Sequence, residues 1–306
     1  MPIITMKELL EAGAHFGHRK SAWNPKMKPY IYQRRENMHI IDLTKTVKLL
    51  DEAYSFVRDL GSEGKQILFV GTKPQAKKCI QEEADRCGCP YVNNRWLGGF
   101  LTNFPTIKKR IERLSHLERE EKEGLWEKLS KKEEISLRKE LEKLGKNLGG
   151  VKNVDTLPNC LFVTDVRIEN TAVKEAVKLK IPVIGMIDSN VDPEEIGYPI
   201  PANDDAIKSI KLITGKIADA VVEGKDIFEK RKLIEEKKKL EEAETEKAED
   251  KAAEPEEKEE KEEISEQVKT AEVSKKISRV VKSKKSESEI NENKEEEDKN
   301  INKEGS

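Results

Sequence analysis

The chain has 306 residues, enough for one or two domains, and its formal net charge of −2 averages two different regions. Residues 231–306 hold 19 Lys or Arg and 25 Asp or Glu, which leaves 39 and 35 for residues 1–230. No apolar run approaches the ~20 residues that a membrane span needs, and no basic region followed by an apolar stretch opens the chain, so we expect a cytoplasmic protein.

The first fifty residues are the most basic part of the chain, with nine Lys or Arg and four Asp or Glu. Residues 23–30 combine two aromatics, two prolines and two lysines, with Arg19 and Lys20 before them and Arg34 and Arg35 after them. Basic residues interleaved with aromatics on a rigid loop suit phosphate contacts and stacking on bases or sugars. The alternatives are an exposed loop before a strand and an ordinary solvated surface.

A helix is predicted next, with Thr44 as N-cap, an apolar face through Leu50 and Val57, and Gly61 just past its end. Two βαβ units follow. Their predicted elements are a strand at 66–70, a helix at 74–86, a strand at 90–92, a strand at 161–165, a helix at 168–180 and a strand at 182–188. Strands that are apolar on both faces and alternate with helices imply a parallel sheet covered on both sides.

Two loops of the first unit are candidates for anion binding. Residues 94–103 follow a strand, and there Arg95 offers a planar fork for phosphate while Trp96 is expected in the core. Residues 71–78, which include Lys73, lie where a strand meets a helix N-terminus, and a phosphate of RNA could use that position. Their spacing matches neither a Walker loop nor a dinucleotide fingerprint, so nucleotide binding is not expected.

Between the two units, residues 105–150 predict a projecting antiparallel hairpin. Ile107, Ile111 and Leu114 are spaced four then three, and leucines recur at the same intervals from Leu137 to Leu148. A narrow apolar seam with charged flanks is typical of a coiled coil. The alternative is two surface helices packed flat on the sheet.

The end of the chain changes in composition. Asn203, Asp204 and Asp205 suit the start of a last helix of the body, whose buried stripe runs to Val221. In residues 231–306, 44 of 76 residues are charged and none is Trp, Tyr or Phe, so we expect a helical extension to about Ala243 and then disorder.

The histidines and cysteines show no metal or catalytic spacing. His15 and His18 could in principle join Asp188, Asp204 or Asp205 around a divalent ion, but a structural or RNA-facing role is favoured and no metal ligand is predicted. Cys79, Cys87, Cys89 and Cys160 match no zinc or disulfide framework, so all four are expected to be reduced thiols.

An ordered series of motifs from about residue 5 to 224 resembles one known family, the second protein of the bacterial small ribosomal subunit. The motifs are LEAGAHFGH at 10–18, WNPKM at 23–27, ILFVGTK at 67–73, RWLGG at 95–99, LEKL at 141–144, NLGG at 147–150 and YPIPANDDA at 198–206. The family often has an apolar residue where Cys89 stands and an Asp near Cys160. Residues after about Glu229 have no counterpart in its shorter members.

The resemblance implies a flavodoxin-like α/β body formed by residues 1–104 and 151–229, an inserted coiled-coil hairpin at 105–150 and a mostly disordered tail at 230–306. It also implies a non-enzymatic structural constituent of the small ribosomal subunit that acts without a cofactor. Its expected partners are small-subunit ribosomal RNA and neighbouring ribosomal proteins, including the large first protein that handles messenger RNA. We expect neither a membrane contact nor a homo-oligomer.

The predicted RNA-binding residues follow from the basic loops and the hairpin. They are Arg19, Lys20, Trp23, Lys26, Lys28, Tyr30, Arg34, Arg35, Lys73, Arg95, Lys108, Lys109 and Arg110. One rival is a phosphate-ligand enzyme on the same kind of sheet, which would need a nucleophile, base or metal cluster at the strand ends. A second rival is a coiled-coil interaction protein whose sheet is only a scaffold.

Overall fold

A computed structural model describes the backbone of residues 3–251 and the side chains of residues 3–237. Its helices and strands are α1 (Met6–Glu11), β1 (Phe16–Arg19), β2 (Ile31–Arg35), β3 (Met38–Ile41), α2 (Leu43–Ser62), β4 (Ile67–Val70), α3 (Pro74–Cys87), β5 (Tyr91–Val92), α4 (Phe104–Lys122), α5 (Lys131–Leu148), β6 (Cys160–Val163), α6 (Asn170–Lys178), β7 (Val183–Ile187), β8 (Tyr198–Pro201) and α7 (Ile207–Lys251). Short 3-10 helices occupy Lys20–Ala22, Pro25–Tyr30, Leu125–Lys128 and Gly149–Val151.

The main sheet has five parallel strands in the order β5-β4-β6-β7-β8. Counted from β4, this is the 2-1-3-4-5 order of flavodoxin-like sheets. Every residue of β4, β6 and β7 is buried, as their continuous apolar runs predict for strands that are covered on both faces. The predicted α/β architecture with a parallel sheet between helices is confirmed.

Successive side chains of a strand point to opposite faces of the sheet, so the core is divided into two clusters, one on each face. Ile67 and Phe69 of β4 pack with apolar side chains of α2, α3 and α7. Leu68 and Val70 of the same strand pack with apolar side chains of α4 and α6. Because both faces are covered, the ends of the strands and the loops beyond them remain as places for polar chemistry.

A second, antiparallel sheet with the order β1-β3-β2 was not predicted from the sequence. Its strands have four or five residues, and in β2 only Ile31 is not exposed. The mainly polar sequence of β2 gives no alternating apolar signal, so no sheet is predicted from this segment. We call β1, β2 and β3 together the basic sheet.

The predicted start and end of α2 were wrong. Its N-cap is Asp42, whose side chain accepts a hydrogen bond from Thr44 N at 3.0 Å, and the helix begins at Leu43. Gly61 lies within the helix, where a Cβ would stand 3.1 Å from the Cα of Gly224 on α7. The glycine therefore serves the close approach of two helices and does not end α2.

The helices α4 and α5 occupy the predicted hairpin region. Ile107, Ile111 and Leu114 of α4 are buried, and the Arg113 side chain pairs with Glu140 of α5 at 3.2 Å. Two helices joined by a short connection and packed on an apolar seam agree with the predicted spacing. The coiled-coil geometry itself stays a prediction.

The last helix, α7, runs from Ile207 to Lys251, past the predicted end near Ala243 and through the predicted domain limit at Glu229. The disorder predicted for the tail lies, from residue 252 onward, outside the described residues. No helix in the described range has both the length and the apolar character that crossing a membrane requires.

Two adjacent glycines after α5 offer a matched test of packing. A Cβ on Gly150 would meet the Tyr91 carbonyl oxygen and would lie 2.7 Å from the Tyr91 ring, whereas one on Gly149 would meet nothing within 4 Å. We expect Gly150→Ala to lower the free energy of unfolding by about 1–3 kcal/mol through overpacking. Gly149→Ala, which keeps a right-handed helical backbone, should cost less than about 0.5 kcal/mol in the same urea titration. If the two variants lost the same free energy of unfolding, this packing of Gly150 against Tyr91 would be wrong.

Candidate nucleic-acid interface

The basic sheet is fixed to the carboxyl end of β7. The backbone N–H of His18 on β1 donates to the Ser189 hydroxyl at 2.8 Å and to Asp188 Oδ1 at 3.2 Å. Asn24 N donates to the Ser189 carbonyl at 2.9 Å. A Cβ on Gly17 would stand 3.0 Å from the Ser189 hydroxyl, so this glycine permits the close approach. The exposed cations of the basic sheet are therefore held on a fixed support.

A stack of three side chains joins the loop before β2 to the sheet. The Trp23 ring stacks on His39 with ring centroids 5.5 Å apart, and the Arg34 guanidinium lies 5.3 Å from the Trp23 ring centroid. Burial lowers the pKa of His39, and the charges of Arg34 and Lys20 add to this effect. A neutral His39 beneath Trp23 supports a cation–π contact that presents Arg34 outward.

The thirteen predicted RNA-binding residues divide by their contacts. Lys26 pairs with Asp192 and Glu194, each at 2.6 Å, and Lys108 pairs with Asp155 at 3.4 Å. Trp23 and Tyr30 are half-buried. Of these thirteen residues, eight are exposed cations for which the described residues provide no ion pair: Arg19, Lys20, Lys28, Arg34, Arg35, Arg95, Lys109 and Arg110.

A cleft of about 830 Å³ opens on the basic sheet, between residues 19–21 and the turn that joins β2 to β3. Arg19 and Lys20 line one side, and Glu36, Asn37 and Met38 line the other. Glu36 adopts a left-handed φ of 54°, which is uncommon for a residue other than glycine. The cleft brings two unpaired cations to a concave surface of a size that could hold a nucleotide.

Lys73 lies at the predicted junction of β4 and α3, where it is the N-cap residue, but it is buried. Its ammonium is buried among carboxylates that follow the strand ends, 3.1 Å from Asp165, 2.8 Å from Asp204 and 2.7 Å from Asp205. Burial opposes the charge, but the hydrogen bonds and charges of these aspartates raise the pKa of Lys73. The ammonium is therefore committed to the acidic cluster, which we define as Asp165, Asp188, Asp204 and Asp205, and we leave Lys73 out of the RNA-binding set.

The predicted anion site at the start of α3 is filled by the chain's own carboxylate. Thr72 N donates to Glu169 Oε1 at 2.8 Å, and Glu169 is almost fully buried. Burial raises the pKa of Glu169, and the Thr72 hydrogen bonds oppose that rise. The Thr72 N–H is therefore already paired with a carboxylate of the chain.

The acidic cluster also brings together atoms that could hold a divalent cation. One ligand atom each from His18, Asp188 and Asp204 lies within 4.8 Å of the others. Interaction with Asp188 raises the pKa of His18, and among the described residues Asp204 Oδ2 has no hydrogen-bond partner. An imidazole nitrogen with carboxylate oxygens suits a first-row divalent metal ion. The sequence left this arrangement open, because the spacing of these residues does not reveal it.

Glu175 of α6 organises the loop that carries Arg95. Its two oxygens accept hydrogen bonds from Trp96 Nε1, the backbone N–H groups of Gly99, Leu101 and Thr102, and the Thr102 hydroxyl, at 2.8 to 3.2 Å. Burial alone would raise the pKa of Glu175, but these hydrogen bonds outweigh it and lower the pKa. The indole of Trp96 is buried as predicted, and Arg95 beside it is exposed.

Asn94 connects the same loop to both neighbours. Its amide oxygen accepts from Lys77 Nζ of α3 at 3.1 Å, and its amide nitrogen donates to Asn147 Oδ1 of α5 at 2.9 Å. The loop therefore lies between the sheet and the base of the hairpin region. Arg95 is positioned by contacts on both sides of it.

The family of the chain is settled by a comparison with known proteins. A family model described as ribosomal protein S2 matches residues 9–224, more than two thirds of the chain. The chain belongs to the ribosomal protein S2 family. Membership confirms the resemblance found in the motifs and implies a structural role in the ribosome. The matched region contains the main sheet, the basic sheet and the hairpin region, and it ends within α7.

Sequence reasoning missed three buried acids in this S2-family chain. Asp165, Glu169 and Glu175 carry the hydrogen bonds and ion pairs described above, yet none lies in a basic or glycine-rich motif. One signal was present, since Asp165 closely follows a buried strand and the carboxyl ends of parallel strands converge. Glu175 gave no signal, because it lies within an ordinary helical stretch.

Removal of the buried ammonium tests the acidic cluster. We expect Lys73→Met to lower the free energy of unfolding by about 3–5 kcal/mol at pH 8, because it leaves buried carboxylates without a counter-charge. The loss should shrink toward pH 5. The pKa of Asp204 is already raised to about 7, chiefly by burial, and loss of Lys73 raises it further, so the folded state then binds a proton that the unfolded state releases. The control is Lys78→Met, on the exposed face of α3. If Lys73→Met lost as much free energy of unfolding at pH 5 as at pH 8, this explanation would be wrong.

The Glu175 contacts are tested by a substitution that preserves shape. In Glu175→Gln one acceptor oxygen becomes an NH₂ group that faces N–H donors, so we expect a loss of about 2–4 kcal/mol in the free energy of unfolding. Circular dichroism during urea titration measures it, with Lys174→Gln on the exposed side of α6 as the control. Wild-type stability in Glu175→Gln would show that the loop does not depend on this carboxylate.

Proposed function

We propose that this S2-family chain binds small-subunit ribosomal RNA through the basic sheet and the loop at Arg95. The observation that carries the proposal is the set of exposed, unpaired cations on a rigid support: Arg19, Lys20, Lys28, Arg34 and Arg35 on or beside the basic sheet. Arginine forks and lysine ammonium groups contact RNA phosphates, and such contacts position a protein on its RNA. Trp23 and Tyr30 support this surface from below, and Arg95 extends it.

The contrast between two groups of lysines supports this choice of surface. Lys26 and Lys73 already have carboxylate partners within 3.1 Å, so an RNA phosphate would have to displace an ion pair. Lys20 and Lys28 would exchange only water and counter-ions for phosphate, and counter-ion release favours binding. We therefore rank the unpaired cations above Lys26 and Lys108 in the proposed interface.

The hairpin region is the second proposed contact. Lys109 and Arg110 are exposed at the base of α4, near the loop of Arg95. We propose that residues 105–150 form a coiled-coil hairpin inserted in a body of residues 1–104 and 151–229, with a tail from residue 230. The half-buried Leu137, Leu141 and Leu144 of α5 support a narrow seam.

The proposed partners and place follow from the family. Besides RNA they are neighbouring small-subunit proteins, including the large first protein that handles messenger RNA. The exposed Met6 and Leu10, four residues apart on α1, offer an apolar face for a protein neighbour. We propose that the chain works as a single copy within the small subunit in the cytoplasm, without catalytic activity or a cofactor.

A phosphate-ligand enzyme is the rival, and the strand ends disfavour it. Three carboxylates, those of Asp165, Asp204 and Asp205, contact one ammonium there, and Glu169 accepts a hydrogen bond from Thr72 N just before α3. A surplus of negative charge repels a phosphate ligand. Exposed arginines, namely Arg19, Arg34 and Arg35, lie on the basic sheet instead, and this favours a surface contact with RNA.

Paired and unpaired cations give matched variants for the RNA test. We expect Arg34→Gln combined with Arg35→Gln to weaken binding of small-subunit RNA fragments about tenfold at moderate salt, and to reduce the slope of log affinity against log salt by about two. Filter binding across a salt series measures both quantities. Lys26→Gln should change affinity less than about twofold, because its charge is already neutralised. Equal effects of the two variants, or an unchanged slope in the arginine variant, would overturn the proposed interface.

A further inference from the structure

Two cysteines, Cys87 and Cys89, lie close together in the chain and have no part in the proposed ribosomal role. Gly88 between them has a left-handed φ of 62° and ends α3, so the chain turns sharply at this point. The Cys89 backbone N–H donates to the Ala84 carbonyl at 2.9 Å, and this bond fixes the turn. Only one residue separates the two cysteines, which does not match the spacing of a zinc site.

A cavity gives access to one of these thiols. It has a volume of about 290 Å³ and lies between the end of α3, the start of β5 and the glycines after α5. Its lining includes Asp85, Gly88, Cys89, Tyr91 and Gly150. Cys89 is 9 % exposed, so bulk solvent barely touches it, yet a small molecule in the cavity could reach its sulfur.

The charges around the pair favour a thiolate at Cys89. Interaction with the Cys87 side chain lowers the pKa of Cys89 although burial opposes this, and the positive charge of Lys225 acts in the same direction. The Lys225 ammonium is fixed beside the turn, where it donates to the Cys87 carbonyl at 2.6 Å and to the Gly88 carbonyl at 3.0 Å. A thiolate is the nucleophilic form of cysteine.

The other two cysteines differ from Cys89 in these respects. Burial raises the pKa of Cys79 to about 11, and burial also raises the pKa of Cys160. Neither lines the cavity, and neither has a cysteine neighbour in the chain. They serve as internal controls in the same molecule.

We propose that Cys87 and Cys89 form a thiol–disulfide exchange site for small, uncharged disulfides that enter the cavity, with Cys89 as the attacking residue and Cys87 as the resolving residue. This site goes beyond the structural role in the ribosome and does not depend on the proposed RNA interface.

The exchange balances as two successive substitutions. The Cys89 thiolate attacks one sulfur of the disulfide, the disulfide bond breaks, and an alkyl thiolate leaves. That thiolate takes the proton of Cys87 and departs as a neutral thiol. The Cys87 thiolate then attacks the Cys89 sulfur and expels the second alkyl thiolate, which is protonated by water. The pair loses two electrons and the one proton of Cys87, water supplies the second proton, and the small disulfide leaves as two thiols.

The test uses the full-length protein and bis(2-hydroxyethyl) disulfide under native conditions. Cys87 and Cys89 lie together between Arg86 and Arg95, so one tryptic peptide reports both, while Cys79 and Cys160 fall in other peptides. We expect the Cys87–Cys89 peptide to lose the mass of two hydrogen atoms about tenfold or more faster than Cys79 or Cys160 acquires the hydroxyethylthio group. Comparable rates at all four cysteines would overturn the proposal.

Variants separate the two roles. Cys87→Ser should stop at a stable mixed disulfide on Cys89, and Lys225→Gln should slow the exchange about threefold or more, whereas Lys230→Gln on the exposed part of α7 should leave the rate unchanged. Prompt formation of a mixed disulfide on Cys87 with none on Cys89 would reverse the assigned roles and contradict the site. Because the wild-type comparison of four cysteines needs no substitution, a variant that fails to fold does not remove the test.

Discussion

The arrangement of the strand ends in this molecule depends on the ion pairs that the buried ammonium of Lys73 forms with three aspartates. Lys73 follows β4 and contacts Asp165 after β6 and both Asp204 and Asp205 after β8, so it joins the carboxyl ends of three strands. Without it, several carboxylates would lie in a site of low polarity with no compensating charge. The same cluster reaches the basic sheet, because Asp188 and Ser189 accept hydrogen bonds from the backbone of His18.

This arrangement separates charge within one small body. Carboxylates are gathered at the strand ends, where they hold the fold together, and arginines and lysines face solvent on the basic sheet. In many sheets of this order the strand ends bind an anionic ligand, and here the chain's own acids and Glu169 occupy that region. The region that binds a ligand in such sheets therefore holds an internal ion-pair cluster in this chain, and the basic sheet lies beside it.

Glu175 shows a second use of a buried carboxylate. It accepts hydrogen bonds from the N–H groups of Gly99, Leu101 and Thr102 and from the Trp96 indole, and these bonds act together with the burial of Phe100 to fix the shape of the loop. Asn94 then ties this loop to α3 and α5. A rigid loop lets Arg95 approach a phosphate without further loss of conformational freedom.

The sequence by itself determined the two βαβ units, the hairpin helices, the basic character of the first fifty residues and the family, because periodicity, turn residues and motif order are local signals. The tertiary structure alone decided that Lys73 is an internal counter-ion, that residues 16–41 form a sheet, and that Glu175 holds the loop of Arg95. Those outcomes depend on partners far apart in the chain, such as Lys73 with Asp204 or Trp96 with Glu175. No local pattern encodes which distant carboxylate a cation or an indole will meet, and the convergence of strand ends in the folded sheet supplies that choice.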